Sequence, residues 1–315
     1  MVQEPDLQMP KEINFGLPSD GRADLELSAM SEDKSGARDS RGVSLFRKTV
    51  PEPSGRSLDL VTGREIFSTP LPSIFLNPLR VWESLGRVEL DAASLLSDGL
   101  FVEASDHPAA VGFDMLRTRF LHGLTEKGWR RIGVTSPTHG CGKSFVALNL
   151  ALSLARRPSS RSVLIDLDLR HPEIAKTLGL DACEPLGEFL SGEQPLETVF
   201  RRVGRSLALG LNSTAIDLAS ETLHDPETVA ALDAVVEQLD PEVVLYDLPP
   251  ALVNDDVLAM SSSVDAILLV TDGTKTSPDE IRATEKLLEG RIPLLGVVLN
   301  RAQDPNAGRY RYVKK

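Results

Sequence analysis

Cysteine is scarce in this 315-residue sequence, which contains only Cys141 and Cys183. The two are not at a spacing typical of a metal site, and Cys141 falls inside a glycine-containing loop. We therefore expect neither a disulfide framework nor a cysteine-based metal centre. Such low cysteine usage is typical of a protein from a reducing compartment.

Long apolar runs are also missing. No stretch approaches the ~20 apolar residues that a membrane-spanning helix needs. The first residues, MVQEPDLQMPKE, are acidic and lack the apolar core of a secretion signal. We therefore expect a cytoplasmic protein.

Positive charge is in deficit. The chain has 34 Lys and Arg residues against 46 Asp and Glu residues, a net charge of −12, and a pI near 5.0. Because proteins that bind nucleic acid through its phosphates carry a basic surface, this balance argues against such a partner. We predict no nucleic-acid partner.

The N-terminal third is poor in clustered apolar residues. Residues 1–69 are rich in Pro, Gly, Ser, Asp and Arg, and a segment of this kind cannot offset its chain entropy. We predict that they are largely disordered. Residues 70–106 hold more apolar side chains, including Trp82 and Leu85. They are predicted to be partly ordered, as an arm that docks on the core or as a partner-binding segment.

Helical and strand patterns alternate over residues 107–315. A helix is predicted from Pro108 to about Lys127, and others over residues 226–239 and 278–288. Apolar runs predict strands at residues 132–135, 162–168, 206–211, 242–247, 265–271 and 294–300. This alternation predicts an α/β domain with a mostly parallel sheet covered by helices on both faces. Ligands of such sheets bind beyond the carboxyl ends of the strands.

The first of these strands leads into residues 136–144, which end in Gly-Cys-Gly-Lys-Ser. A strand, a glycine-containing loop and a helix in that order favour a phosphate loop over a helix start with an incidental lysine. The usual first glycine of the motif is replaced by Pro137. Successive loop N–H groups and the helix start would bind phosphate. Lys143 would hold the β- and γ-phosphates, and the Ser144 hydroxyl would bind Mg²⁺. The predicted nucleotide-binding residues of the loop are Thr138, His139, Gly140, Cys141, Gly142, Lys143, Ser144 and Phe145.

Acidic side chains follow two of the predicted buried strands. Asp166 and Asp168 lie at the end of one strand, and Asp247 ends another. Mg²⁺ with a triphosphate needs few protein ligands, and carboxylates supply them. A single aspartate after a strand is commonly a turn or a helix cap. Two such positions downstream of a phosphate loop favour a functional role.

Three motifs together resemble the bacterial tyrosine kinases (BY-kinases) of capsule and exopolysaccharide biosynthesis. SPTHGCGKS is similar to their phosphate loop, VLIDLDLRHP to their second acidic motif, and VVLYDLPPAL to their Walker B strand with its double proline. The motifs occur in the family order over about residues 105–312, and the second is the most specific. The resemblance implies a P-loop NTPase fold, ATP and Mg²⁺ as cofactors, and protein-tyrosine autokinase activity.

The resemblance also implies roles for individual residues. Lys143, Asp166, Asp168 and Asp247 would be catalytic. Asp166 would contact the metal through water and activate the tyrosine hydroxyl, and Asp168 would order the metal and the acceptor. The metal-binding set would be Ser144, Asp166 and Asp247. Asn300 resembles the asparagine that reads the adenine edge, with Arg301 beside it, and Arg170 would tether its loop by an ion pair.

Other positions depart from related families. Partitioning and division-site ATPases carry an extra lysine where this chain has Thr138, which favours the kinase branch. The helix motif that builds the usual kinase ring falls on Val111, Asp114 and Arg117. Only its last arginine is retained, which argues against ring assembly by the usual contact, although a homo-oligomer is still expected.

The tyrosine-rich tail of the family is reduced here to Tyr310 and Tyr312. They are phosphoacceptor candidates, and the alternative is that they pack on the core. Because no membrane-spanning helix is predicted, the chain resembles the stand-alone cytoplasmic kinases of this family. These are recruited to the inner face of the membrane by a chain-length regulator (polysaccharide co-polymerase). A phosphotyrosine phosphatase is a further candidate partner.

Two other functions compete with the kinase. One is a nucleotide-dependent switch that docks on the membrane regulator and phosphorylates nothing. The other is a partitioning-type ATPase acting on DNA, which Thr138 and the acidic pI disfavour.

Overall fold

The structure, a computed structural model, describes the backbone of residues 14–16 and, in full, residues 77–180 and 185–302. Apart from residues 14–16, the segment predicted to be disordered lies outside the described residues, as do Cys183, Tyr310 and Tyr312. The described strands are β1 (Asn14–Gly16), β2 (Gly86–Val88), β3 (Arg131–Thr135), β4 (Ser162–Asp166), β5 (Arg201–Val203), β6 (Leu207–Gly210), β7 (Val243–Asp247), β8 (Ala266–Asp272) and β9 (Leu294–Asn300). The described helices are α1 (Pro78–Ser84), α2 (Ala92–Ser97), α3 (Pro108–Lys127), α4 (Lys143–Ala155), α5 (Ile174–Thr177), α6 (Leu186–Leu190), α7 (Leu196–Val199), α8 (Ala219–His224), α9 (Pro226–Leu239), α10 (Asp256–Ala259) and α11 (Pro278–Leu288).

The strands form one mostly parallel sheet in the order β1-β9-β8-β3-β7-β4-β6-β5-β2. The pairs from β9 through β8, β3, β7 and β4 to β6 are all parallel. The antiparallel pairs are β1 with β9 and β5 with β6. This confirms the predicted α/β fold and brings the carboxyl ends of β3, β4 and β7 side by side.

The sheet is apolar on both faces because both are covered. Successive β7 side chains alternate between them: Val244 and Tyr246 join one core cluster, and Val243 and Leu245 join the other. Helix α4 lies between α3 and the sheet on one face, and α9 packs on the other. Burial on both faces explains why the strands are continuous apolar runs.

Residues 77–106 add to both faces of this core. Trp82 and Leu85 belong to one cluster, whereas Leu95 and Phe101 belong to the other. The indole of Trp82 donates to the carbonyl of Arg205 at 3.0 Å. Strand β2 pairs with β5, so this segment also supplies one edge of the sheet.

Local chemistry accounts for the ends of the main elements. Helix α3 has the predicted bounds, with Pro108 in its first turn and Gly128 in a left-handed conformation at its end. Asp225 caps α9 as predicted, by accepting the amide of Glu227. Strand β4 ends at Asp166, two residues earlier than predicted, because its carboxylate accepts the amides of Asp168 and Ile174 and the chain turns there.

Candidate active site

The phosphate loop joins β3 to α4 and depends on two glycines. Gly140 and Gly142 have φ angles of +76° and +86°, a region that residues with a side chain rarely adopt. A Cβ atom on Gly142 would lie 2.3 Å from Nδ2 of Asn300, whereas one on Gly140 would meet nothing within 4 Å. Only glycine at position 142 allows the loop to close against Asn300.

Asn300 and Arg301 hold the loop from the end of β9. Asn300 Nδ2 donates to the carbonyl of Cys141 at 2.9 Å, and Arg301 Nη1 donates to the carbonyl of Gly140 at 2.7 Å. Arg301 also pairs with the fully buried carboxylate of Asp272. Although burial opposes it, hydrogen bonds from the hydroxyl and amide of Thr274, and then the contact with Arg301, lower the pKa of Asp272. Both predicted base-contacting residues therefore fix the loop backbone, and their contact with a base stays a prediction.

The other side chains of the phosphate loop contact the loop itself or neighbouring segments. The Ser136 hydroxyl donates to the carbonyl of Thr138 at 2.8 Å. Cys141 Sγ is buried, 3.3 Å from the Thr138 carbonyl oxygen and 3.6 Å from Thr276 Oγ1. The exposed ring of His139 meets His171 edge-on, with centroids 5.8 Å apart.

Lys143 lies at the centre of the carboxylates predicted to be catalytic. Its Nζ is 2.8 Å from Oδ2 of Asp168, 3.3 Å from Oδ2 of Asp247 and 3.1 Å from Oγ of Ser144. Although burial opposes the charge, the carboxylates of Asp247 and Asp168 raise the pKa of Lys143. The structure thus brings Lys143, Ser144, Asp168 and Asp247 together.

Asp166 lies against this group with its side chain fully buried. Its Oδ2 accepts the Ile174 amide at 3.2 Å, and its Oδ1 accepts the Asp168 amide at 3.3 Å. Burial and the nearby charge of Asp247 raise the pKa of Asp166. Burial likewise raises the pKa of Asp247, with Lys143 opposing the shift. Three carboxyl groups thus share one lysine.

Lys143, Ser144 and Asp168 line a cavity of about 450 Å³, and Asp166 and Asp247 are not among its lining residues. Its volume is within the range of about 300–1,000 Å³ common for small-ligand sites. Phe145 and Leu148 of α4 give it an apolar wall, and Phe145 also packs edge-on against Phe113 at 5.9 Å. Further lining residues are His139, Gly140, Gly142, Lys143, Ser144, Asp168, His171, Glu173, Ile174, Thr177, Pro250 and Arg301. A cavity bounded by loop amides, a lysine and hard oxygen ligands fits a nucleotide phosphate chain with Mg²⁺.

No side-chain cluster in residues 77–180 and 185–302 is arranged to hold a metal by itself. This accords with the few protein ligands that Mg²⁺ takes when phosphate oxygens supply the others. The carboxylates and the Ser144 hydroxyl would then complete the coordination of a metal held mainly by phosphate.

Sequence reasoning assigned no role to three residues that support the site: Asp272, Asp256 and Ser220. Asp256 accepts two hydrogen bonds from Arg170, so the ion pair expected of that arginine is present. The contacting residues are 86 positions apart in the chain. No local pattern signals such a pair, since an aspartate after a double proline resembles an ordinary helix start.

Comparison with known proteins agrees with this geometry. Residues 129–307 match the family described as "ParA: NUBPL iron-transfer P-loop NTPase". The chain belongs to this ParA-type family of P-loop NTPases. Members of such families bind nucleotides, generally with Mg²⁺. The match begins just before β3 and includes every predicted site residue in the described part of the chain.

The resemblance to bacterial tyrosine kinases is also confirmed. A putative tyrosine-protein kinase, EpsB of Ralstonia nicotianae, is 33% identical over 250 residues, which are 73% of this chain and 32% of the relative. The VpsO kinase domain is 28% identical, with a TM-score of 0.55 over 62% of this chain and 95% of that one. The BceF tyrosine kinase domain is 26% identical, with a TM-score of 0.55 over 70% and 96%.

The curated kinase relatives are much longer than the part of them that this chain matches. The chain spans about a third of the length of the curated kinase relatives it matches first. None of the helices in its described part has the length and apolar character needed for a membrane span.

Proposed function

We propose that this chain is an ATP-dependent protein-tyrosine autokinase that regulates exopolysaccharide or capsule polymerisation and export. The observation that carries the proposal is the convergence of Asp166, Asp168 and Asp247 around Lys143, which lines the phosphate-loop cavity. Relatives named tyrosine-protein kinases support the same function.

Each residue has a definite task in the proposed transfer. Bound Mg·ATP supplies the γ-phosphoryl group and the charge neutralisation. The loop amides and Lys143 would bind the phosphates, and Ser144, Asp166 and Asp247 would contact the metal or its waters. The tyrosine Oη bonds to phosphorus, the bond from phosphorus to the β–γ bridging oxygen breaks, and the hydroxyl proton passes to Asp166. Asp168 orders the acceptor, so positioning and charge supply most of the rate.

Two tail tyrosines are the proposed acceptors. Tyr246, the third tyrosine, is fully buried in β7, and burial raises the pKa of its hydroxyl. It is therefore inaccessible to the active site of any copy. Tyr310 and Tyr312 lie beyond the described residues, among Arg309, Arg311, Lys314 and Lys315. Each phosphate would add close to two negative charges to that basic sequence.

Assembly is proposed to differ from the usual kinase ring. Asp114 accepts hydrogen bonds from Arg117, Arg156 and Ser153, and Arg117 also donates to the Ser153 carbonyl at 2.9 Å. The one retained arginine of the ring motif is thus bound within its own chain, and Val111 is exposed beside it. We propose a homo-oligomer formed through another surface, and recruitment from the cytoplasm to a membrane chain-length regulator.

The proposed domain organisation accords with this function. Residues 107–315 carry the kinase, and residues 70–106 are an associated segment.

Mass spectrometry of the full chain after incubation with Mg·ATP tests the proposal. Phosphate on Tyr310 or Tyr312, absent from a Lys143→Met control and from Tyr310→Phe/Tyr312→Phe, is the expected result. The reaction is repeated with a chain-length regulator present, because a partner can supply activation. Nucleotide binding and hydrolysis with no phosphotyrosine in either condition would instead support the nucleotide-dependent switch.

A further inference from the structure

The loop after β4 is fastened to the segment after β7 by one ion pair. Arg170 lies two residues beyond Asp168, and its guanidinium grips both carboxylate oxygens of Asp256 at 2.9 and 3.1 Å. Asp256 is at the start of α10, nine residues downstream of Asp247. Arg170 therefore lies on the same segment as Asp168, and Asp256 lies on the segment that follows Asp247.

The two residues of this ion pair differ in burial, and the more buried one fixes the position of the other. The Asp256 side chain is only 1% exposed, whereas that of Arg170 is 29% exposed. A two-pronged Arg–carboxylate contact fixes orientation as well as distance. The hydrogen bond from Arg170 to Asp256 also raises the pKa of the guanidinium. Because a buried carboxylate without its partner is costly, Asp256 holds the arginine and the loop behind it in one place.

The segment that follows β6 also contacts the Arg170–Asp256 ion pair. The Ser220 hydroxyl of α8 contacts the carboxylates of both Asp255 and Asp256, and it accepts from Arg170 at 3.3 Å. The Ile216 amide donates to the carbonyl of Leu169 at 2.8 Å. The segments that follow β4, β6 and β7 are thus tied together beside the cavity.

We propose that Asp256 is a positioning residue for phosphoryl transfer: through Arg170 it sets the place of Asp168 relative to Asp247 and Lys143. This inference rests on the proposed kinase function for its rate readout. Asp256 does not line the cavity. It acts by fixing the spacing of the carboxylates that do contact Lys143, since a shift of about 1 Å in such a group can cost about 10²-fold in rate.

The chain offers a matched control in the adjacent residue. Asp255 also touches Ser220, but it is exposed and makes no ion pair with Arg170 in the described residues. Asp256→Asn keeps the side-chain shape and removes the charge. Arg170→Lys keeps the charge and removes the two-pronged geometry. Asp255→Asn removes a neighbouring charge that also contacts Ser220, but it leaves the ion pair between Arg170 and Asp256 in place.

The experiment measures kcat and KM for tail phosphorylation, the Mg²⁺ dependence of binding of a fluorescent ADP analogue, and the melting temperature. Asp256→Asn and Arg170→Ala are expected to lower kcat by about 10²-fold, with little change in KM for ATP. Both should require more Mg²⁺ for half-maximal nucleotide binding. The double variant Asp256→Asn/Arg170→Ala should have a kcat no lower than that of Arg170→Ala alone, because the two residues act as one unit. Asp255→Asn should match the wild type.

Three results would overturn the proposal: an unchanged kcat in folded Asp256→Asn, full additivity with Arg170→Ala, or an equal loss in Asp255→Asn. A lower melting temperature without a change in kcat or Mg²⁺ dependence would show a merely structural role. If Asp256→Asn does not fold, Arg170→Lys and Ser220→Ala decide by the same readouts. If the wild type binds Mg·nucleotide but phosphorylates no tyrosine, the kinase proposal fails, and Mg²⁺ dependence alone judges the role of Asp256.

Discussion

The two ends of the parallel sheet place oppositely charged side chains together in different ways. At the amino end, arginines and carboxylates pair one to one at the surface: Arg130 with Asp240 at 3.2 Å and Arg157 with Glu242 at 3.0 Å. At the carboxyl end, three buried carboxyl groups surround Lys143. Charge is balanced in solvent at one end and is concentrated and unbalanced, away from solvent, at the other.

This difference indicates that the charged residues at the amino end stabilise the fold slightly, whereas those at the carboxyl end form a binding site. Exposed ion pairs contribute about 0–1 kcal/mol each, so the amino end tolerates change. Taking ions out of water costs several kcal/mol per ion, and the raised pKa values of Asp166 and Asp247 reflect that cost. Binding of a cation with phosphate relieves it. We therefore expect substitutions at the carboxyl end to alter binding and rate, and those at the amino end to alter stability slightly.

The largest effect should come from Lys143→Met. This change removes the one cation between Asp168 and Asp247 and leaves the loop backbone intact. We expect nucleotide binding and turnover to be lost while the protein remains folded. Isothermal titration with Mg·ATP and circular dichroism of the variant test this. Normal affinity and turnover would remove the central role given to the carboxyl end.

A second large effect is expected from Asp166→Asn. The carboxylate proposed to take the tyrosine proton would be absent, and general-base catalysis contributes about 10²–10⁴-fold. Nucleotide affinity should change far less, since the loop amides and Lys143 remain. Rates of tail phosphorylation measured beside nucleotide affinity make the distinction. Equal losses in both would assign Asp166 to nucleotide binding rather than to the transfer.

Gly142→Ala should weaken nucleotide binding without touching any charge. Its Cβ would collide with Asn300, whereas the Cβ of Gly140→Ala would meet nothing. Both variants bear the left-handed backbone strain of about 1–2 kcal/mol. We expect the affinity loss in Gly142→Ala to exceed that in Gly140→Ala by about tenfold or more. Similar affinities in this matched pair would show that the contact with Asn300 is unimportant.

The smallest effect belongs to the amino end. Arg130→Ala removes an exposed pair with Asp240, and the backbone amide of Arg130 still donates to Asp265. The free energy of unfolding should fall by about 0.2–1 kcal/mol, as urea denaturation would measure. Kinase activity should not change. A marked loss of activity in this variant would break the distinction between the two ends.

Much of the sheet could be predicted from the sequence. Strands such as β7 and β8, buried on both faces, are unbroken apolar runs, and the bounds of α3 follow from a proline and a glycine at its ends. The phosphate loop was recognisable because its chemistry lies within nine consecutive residues, 136–144. These features are local, and local patterns survive in a single sequence.

The features of the site that the sequence did not predict depend on contacts between segments far apart in the chain. Asn300 closes on Cys141 from 159 residues away, and Arg170 meets Asp256 across 86 residues. The turn that directs Asp168 to Lys143 depends on amides that only the folded loop presents to Asp166. Side-chain type suggested which groups take part, but their partners are set by the strand order.

The pairing of Trp82 and β2 with residues beyond position 200 has a consequence for synthesis. Trp82 cannot form its hydrogen bond until Arg205, 123 residues later in the chain, has been synthesised. At about 5–20 residues per second, the delay is on the order of ten seconds. During that time Trp82 and β2 lack the partners that Arg205 and β5 supply, and contacts so distant in sequence also form slowly. We expect the segment that contains Trp82 and β2 to be where ribosome-associated chaperones bind and where chains truncated before β5 aggregate.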